Sequence, residues 1–339
     1  RAAAGAQPLC DACTNPPPET DEPGLPTMTT SNVEAAGTGV APRVSVAIAA
    51  YNSAATLPET LESVAAQTFR DFEVIVVDDG SRDATQEVLT RYAAKWPWLH
   101  WEHQQNAGAG AARNRAIERA RGEFIAFLDA DDLWMPDKLA VQMEVFARNP
   151  AVACVYTDEI DFQPHRDMPK TLFQDKPPAR GDILSQLFPG NFVLTSSLVV
   201  RKAALLEVGC FDGTQRVYED LDLFLRLAER FVDRVLVRRR LLPDSLMHGN
   251  ALACQRRDLE IIDEWVARRP DLFPEHSPQV RRRRGSVYAR MGYALLSQRD
   301  YRGARHAFRR AIALGQREPD LLVRAAAAHV PTAARLLQR

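Results

Sequence analysis

Asp129 and Asp131 stand one residue apart at the end of the apolar run Phe124-Ile125-Ala126-Phe127-Leu128, a spacing that limits what they can do. Side chains alternate faces along a strand, so both carboxylates converge just beyond the strand's C-terminal end. Two convergent oxygen ligands suit a hard divalent cation, Mg2+ or Mn2+, which keeps positions open for water and substrate phosphates. A run of acids after a strand also serves as an N-cap and a solvated turn, and Asp132 ahead of Leu133-Trp134-Met135-Pro136 suits that use. Two further acidic pairs keep it company. Asp78-Asp79-Gly80-Ser81 closes a second apolar run, where an ordinary turn is the plain account and a carboxylate accepting a nucleobase N–H is the functional one. Glu219-Asp220 opens a stretch with Leu221, Phe224, Leu225 and Ala228 on one face, where the helix macrodipole alone favours acids and a proton acceptor is the functional alternative.

The elements that would carry these residues follow from the hydrophobic pattern. Short apolar runs alternate with helix-like stretches from Val44 onward, the signature of parallel βα units. Strands are expected at 44–50, 72–77, 99–103 and 124–128, with helices at 57–67 (Thr56 as N-cap), 84–95, 110–121 and 138–149. The acidic motifs then fall at strand C-termini, where open α/β sheets bind ligands. A strand at 151–156 leads into an expected loop, 158–180, that carries four prolines; strands at 192–200 and 232–237 flank a helix at 219–229. Everything from Ala251 reads as helical. There Tyr288, Gly292, Tyr293, Leu295, Asp300-Tyr301, Ala304, Ala307-Phe308, Ala311 and Pro319 resemble one tetratricopeptide helix pair, too little for a solenoid and better described as a helical appendage.

The 339 residues, 46% hydrophobic and 26% charged, suffice for one large domain and a smaller one. A net charge of -1 excludes a wholesale nucleic-acid binder, yet residues 281–339 hold 14 arginines against three acids. A solvated helical surface is the plain reading of that basic face; attraction to anionic headgroups, and so peripheral membrane contact, is the functional one. Five scattered cysteines form no disulfide framework, and Cys10-Asp11-Ala12-Cys13 lacks the second pair or histidine that a zinc site needs. No apolar run approaches a membrane span and no signal-peptide core opens the chain, so a cytoplasmic location is expected. Residues 1–42, with Pro16-Pro17-Pro18, read as a disordered N-terminal segment in which Met28 is a candidate start.

Taken in order, Val44-Ser45-Val46-Ala47-Ile48-Ala49-Ala50-Tyr51-Asn52, Val74-Ile75-Val76-Val77-Asp78-Asp79-Gly80-Ser81, Asn106-Ala107-Gly108 with Ala112-Arg113-Asn114, Asp129-Ala130-Asp131-Asp132 and Glu219-Asp220 resemble a family 2 glycosyltransferase. The resemblance implies the GT-A fold: an α/β, Rossmann-like mixed sheet flanked by helices over 43–250, followed by the helical region 251–339. It implies an inverting, metal-dependent transfer of sugar from a nucleoside diphosphate donor, UDP-linked by expectation, to a hydroxyl of a saccharide, lipid-linked or protein acceptor. By that resemblance Asp129 lies near the ribose, Asp131 ligates Mn2+ or Mg2+, Asp220 is the general base and Glu219 its support. His248 resembles the late histidine directed at metal or diphosphate, although Pro243-Asp244-Ser245 replaces the basic residue that often precedes it.

Other residues have physical rationales. Tyr51 is placed to stack on the nucleobase while Asn52 shapes the turn, Arg113 to balance nucleotide charge or to form a surface ion pair, and Trp134 either to offer its face to a sugar or to pack. Gly108 and Gly110 lack dinucleotide spacing. A nucleotidyltransferase would need a basic, Gly-rich loop after the first strand, which Ala50-Tyr51-Asn52-Ser53 is not. A non-catalytic sugar-nucleotide-binding scaffold remains the alternative, weighed against by the intact Asp131 and Asp220.

Overall fold

A computed structural model describes residues 41–163, 166–174, 183–227, 235–240 and 251–329. The expectations for residues 1–40, including the disordered segment, the cysteine pair and Met28, and that for His248, lie outside the described residues.

Three parallel βα units build one side of the main sheet. Strand β1 (Val44–Ala50) pairs in parallel with β2 (Phe72–Asp78) and with β4 (Phe124–Asp129), and β3 (Leu99–His103) extends β2. These strands are buried on both faces, which explains their near-continuous apolar sequences. Val46, Ile48, Phe124 and Leu128 pack under helices α1 (Leu57–Ala65), α2 (Thr85–Lys95) and α4 (Lys138–Arg148). Their strand neighbours Ala47, Ile125 and Phe127 face the opposite way, onto Ala112, Ala116 and Ile117 of α3 (Ala109–Arg119). Small residues on α3 let that helix lie close to the sheet.

The second half departs from the reading by alternation alone. Past the short strand β5 (Leu133–Trp134), β6 (Cys154–Val155) is shorter than expected. The proline-bearing loop is instead a hairpin of β7 (Asp158–Gln163) and β8 (Arg166–Thr171), with Ile160 opposite Thr171 and Gln163 opposite Arg166. Strand β8 is the edge of its sheet, the one place where Pro169 costs no ladder hydrogen bond. The expected strand at 192–200 resolves into helix α5 (Leu184–Leu187) upstream, a 3-10 turn at Thr195–Ser197, strand β9 (Val199–Arg201) and helix α6 (Lys202–Glu207). Antiparallel pairing of β9 with β4 and β6 decides that register, a contact between segments remote in sequence. The main sheet runs β3-β2-β1-β4-β9-β6, a six-stranded mixed sheet flanked by helices; β5-β10-β7-β8, with β10 (Val235–Arg240), forms a smaller one.

Helix α7 (Glu219–Leu227) covers the α3 face with Leu221, Leu223, Phe224 and Leu225. The core does not stop at residue 250. Ile261, Ile262, Trp265 and Val266 of α8 (Ala251–Arg268), with Val280 and Val287 of α9 (Pro278–Ser297), join the same cluster as Ile125 and Phe127. Helix α10 (Tyr301–Ala313), α11 (Pro319–Ala327) and the end of α9 close a separate small core around Phe308. Gly292 is needed there, since a Cβ would meet the Phe308 ring at 2.5 Å.

A less yielding contact sits at the base of β4, where a Cβ on Gly122 would lie 2.6 Å from the Ser45 backbone nitrogen. Gly122→Ala is expected to destabilise the chain by about 1–3 kcal/mol, because the obstructing atom belongs to the central strand and cannot swing aside. A lowered urea midpoint with an unchanged m-value checks this.

Candidate functional site

The parallel strands end on one rim, with Ala50 opposite Asp78 and Ala49 opposite Asp129. Asp129 and Asp131 are partly exposed there, whereas Asp132 turns inward and is buried, as alternation requires. Ser196 holds the acidic loop from below: its hydroxyl accepts the Asp129 N–H at 3.0 Å and donates to the Asp132 carboxylate at 2.6 Å. Thr56 and Thr60 both donate to the Ala130 carbonyl, at 2.9 and 3.1 Å. Thr56 therefore ties α1 to the acidic loop and makes no side-chain capping bond to its own helix. Trp134 is 4% exposed, donates its indole N–H to the Ser196 carbonyl at 2.8 Å and carries the Lys138 ammonium 4.2 Å from its ring centroid. Of its two expected roles, packing is the one seen.

Arg113 joins this loop to the second acidic pair. Its guanidinium donates to Asp129 at 2.7 Å and to Glu219 at 2.8 Å, and it lies over the Phe211 ring. Being 7% exposed, it forms no surface ion pair. Burial opposes its charge, but Asp129 and Glu219 outweigh that and raise its pKa above the usual range. Gly110 permits the approach of α3 to α7, since a Cβ there would already press on the Glu219 side chain at 3.3 Å.

Asp220 is partly exposed and accepts the Leu221 N–H at 2.7 Å. Burial and then the neighbouring Glu219 push its pKa up to about 7, while Arg113 works the other way. Tyr218 precedes the pair with φ of +57°, a left-handed conformation that costs a tyrosine on the order of 1 kcal/mol. Its phenol is pushed up to about 12 by burial and then by Asp258 of α8. Cys254 of α8 is buried and feels both Glu219 and Asp220. Asp258 is in turn clamped by Arg283 at 2.7 Å and Arg290 at 2.8 Å, both from α9. The C-terminal helices thus back the segment that bears Asp220.

On the other side, the loops after β1 and β2 are laced together. Asn52, at φ +51°, accepts the Arg82 N–H at 2.8 Å and donates its own to Ser81 at 2.9 Å, so it shapes the turn. Tyr51 is 48% exposed at the rim. Asp78 is buried and spends its carboxylate on Ser81, Gln86 and His103. Asp79, 3% exposed, accepts from Gln104 and from the Ala107 and Gly108 N–H groups, each at 2.8 Å. A carboxylate has about four lone-pair positions, so one is left for a further donor. Gly80 is required at φ +79°, where a Cβ would strike the Asn106 nitrogen at 2.8 Å. Arg216 reaches across from the α7 side to donate to Asn106 at 3.0 Å. Neither Ser196 nor Arg216 carried a local signal in the chain, because each acts through a partner far away in sequence.

Asp129 and Asp131 supply two carboxylates, and among the described residues no three His, Cys, Asp or Glu side chains gather into a ligand set. Mg2+ and Mn2+ are commonly held by one or two carboxylates when substrate phosphates and water complete the shell, so the donor chemistry fits such an ion.

Two outcomes are expected. Arg113→Met leaves two partly buried acids uncompensated and should cost about 1–3 kcal/mol in denaturant unfolding, with Arg113→Lys recovering only part because a compact ammonium lacks the fork that spans both acids. In metal-free protein Asp220 holds its proton up to a higher pH when folded than at its ordinary value of 3.8, so the folded state binds the extra proton between about 4 and 7. Stability should therefore fall as pH rises through that window and level off above it, and Asp220→Asn should remove that part of the slope in melting temperatures.

Comparison with known proteins bears on the family and the fold. The family described as Glycosyl transferase family 2 matches residues 45–209. Over 228 residues the chain is 31% identical to an uncharacterized glycosyltransferase of Rickettsia typhi, covering 62% of this chain and 67% of that one. Among solved structures, S. aureus TarS 1-349 in complex with UDP-GlcNAc superposes with a TM-score of 0.58 at 19% identity, over 87% of this chain and 89% of that one. The mannosyltransferase PcManGT from Pyrobaculum calidifontis, in complex with GDP-Man and Mn2+, superposes with a TM-score of 0.55 at 20% identity, over 93% and 90%. These likenesses are of fold, the GT-A type. With the family match over most of the sheet and the Rickettsia relative aligned across two thirds of its length, the chain belongs to glycosyltransferase family 2.

Proposed function

We propose that the chain is an inverting, metal-dependent glycosyltransferase that moves a sugar from a UDP-sugar to a hydroxyl of a saccharide, lipid-linked or protein acceptor. The observation that carries this reading is the shared guanidinium of Arg113, which brings the acids at the end of β4 and those at the start of α7 to one site. Tyr51, exposed at the rim, offers its ring to the nucleobase, and the remaining lone-pair position of Asp79 takes a base N–H. Asp129 lies on the ribose side, and Asp131 with His248 would hold Mn2+ or Mg2+. When bound, the ion supplies Lewis acidity to the departing diphosphate.

Asp220 has the properties of the base. Its partly exposed carboxylate, with a pKa of about 7, is far better matched to a hydroxyl proton near neutral pH than an ordinary aspartate. The acceptor oxygen attacks the anomeric carbon as its proton passes to Asp220; the bond from that carbon to the diphosphate breaks on the opposite face and its electron pair leaves with the nucleotide. Glu219, held by the Arg113 guanidinium at 2.8 Å, supports its neighbour from the adjacent position. No helix among the described residues is long and apolar enough to cross a membrane. We place the enzyme in the cytoplasm, peripheral at the inner face of the membrane, where a lipid-linked acceptor and the basic C-terminal helices would meet.

Asp220→Asn should lower transfer by about 10²–10⁴-fold while nucleotide binding persists. A panel of UDP- and GDP-sugars with Mn2+ or Mg2+, scored by thermal stabilisation and donor turnover, tests the donor half. Stabilisation by UDP plus metal, exceeding either alone, is the expected result. Retained turnover in Asp220→Asn would rule out the assigned base.

A further inference from the structure

Two groups stand out among the arginines of the C-terminal helices, apart from the exposed Arg256, Arg268 and Arg299. Those facing the rest of the chain are matched: Arg257 with Glu260 and Glu264, Arg283 and Arg290 with Asp258, Arg284 with Asp263 and Glu275. Arg281, Arg282, Arg302, Arg309, Arg310 and Arg317 are all exposed and have no acid partner among the described residues. The second set is contiguous. Helix α10 turns Ala304, Ala307, Phe308 and Ala311 inward. Arg302 and Arg309, two turns apart with His306 between them, therefore run along its outer face. Helices α9 and α10 lie antiparallel, with Gly292 against Phe308 and Gly285 against Gln316. Gln316 donates to the Arg282 carbonyl at 3.1 Å, so the first turn of α9 continues the stripe beyond the end of α10. There His276, Arg281, Arg282 and Gln316 line an open cleft of about 430 Å3, with Glu318 its one acid.

Position and chemistry select the partner. Helix α9 packs against both α10 and α8, and the stripe lies on the face of α10 turned away from its packed side, opposite Ala304, Ala307, Phe308 and Ala311. An acceptor reacting at Asp220 would not be read there. No aromatic ring among the stripe's exposed residues offers the stacking platform that single-stranded nucleic acid uses. A row of guanidiniums on one helix face, ending in an open basic cleft, is complementary to a plane of anionic headgroups.

We propose that the outer face of α10, together with the first turn of α9, docks the protein on anionic phospholipid of a bilayer surface. This deepens the peripheral location given above and is independent of the transfer chemistry. The full chain should co-sediment with vesicles of phosphatidylglycerol in phosphatidylcholine, not with phosphatidylcholine alone, and binding should weaken as salt rises. A triple variant, Arg281→Gln, Arg302→Gln and Arg309→Gln, should lose vesicle affinity on the order of a hundredfold while its melting temperature and donor turnover in solution stay unchanged; Arg310 is left in place because its guanidinium lies over the Tyr288 ring. Equal binding to neutral vesicles, undiminished binding of the triple variant, or retention on heparin without vesicle binding would each overturn the proposal. Asp220→Asn should still bind vesicles as the parent does, so a failure of the catalytic assignment and a failure of the docking surface would be told apart.

Discussion

One buried guanidinium, that of Arg113, sits between a carboxylate at the end of a strand and a carboxylate at the start of a helix. Taking a charge out of water is costly, and here the cost is offset only because two acids converge on the same group with good hydrogen-bond geometry. That requirement fixes the separation of the two acidic motifs. It also explains the small residues of α3, since Ala112, Ala116 and Gly110 let the helix carrying Arg113 lie against both the sheet and Glu219. The rim still holds more acid than base: Arg113 neutralises one equivalent of the charge from Asp129, Glu219, Asp131 and Asp220. The surplus suits a divalent cation, and with burial, the larger cause, the neighbouring Glu219 lifts the proton affinity of Asp220.

Rigidity in the site comes from backbone contacts that no acidic motif announces. Ser196 accepts from one member of the acidic loop and donates to another, so the loop's shape depends on a 3-10 turn more than sixty residues downstream. Asp79 gathers the backbone ahead of α3 as a bound anion would, which orders the loop before any nucleotide arrives. On the far side, Tyr218 takes a strained conformation held by the packing of α7 against α8 and α9. The buried Asp258 with its two arginines anchors that packing. The C-terminal helices are accordingly bound up with the site as well as with the solvent-facing basic stripe.

Much of this was legible in the chain. Alternation along Phe124–Leu128 already placed Asp129 and Asp131 together at the rim, because the two-residue period of a strand is set by covalent geometry, whereas Asp132, expected in a solvated turn, is buried and held by Ser196. The parallel strands before residue 130 and the C-terminal helices were legible for the same reason, each being long or strongly periodic. Arg113 was singled out but expected to face nucleotide or solvent, since its spacing from neighbours says nothing about acids 16 and 106 residues away. The hairpin β7–β8 was hidden by its prolines, which a local reading counts as loop and an edge strand tolerates. Trp134 illustrates a limit of another kind, because an aromatic beside a site is equally suited to stack or to pack.

By itself the sequence determined which residues can hold charge, where strands must end, and that the acids of Asp78-Asp79 and Asp129-Asp131 would stand at one rim of the sheet, while Glu219-Asp220 joined them only through the family resemblance. Local covalent geometry and hydrophobic period are enough to place the first two pairs. Only the tertiary structure decided that the acids of β4 and α7 share a single guanidinium, that the pKa of Asp220 rises to about 7, and that some C-terminal arginines are paired with acids while others face water. Those outcomes depend on burial and on distances between segments far apart in the chain, and electrostatic energy is set by distance and dielectric, neither of which is written in residue order.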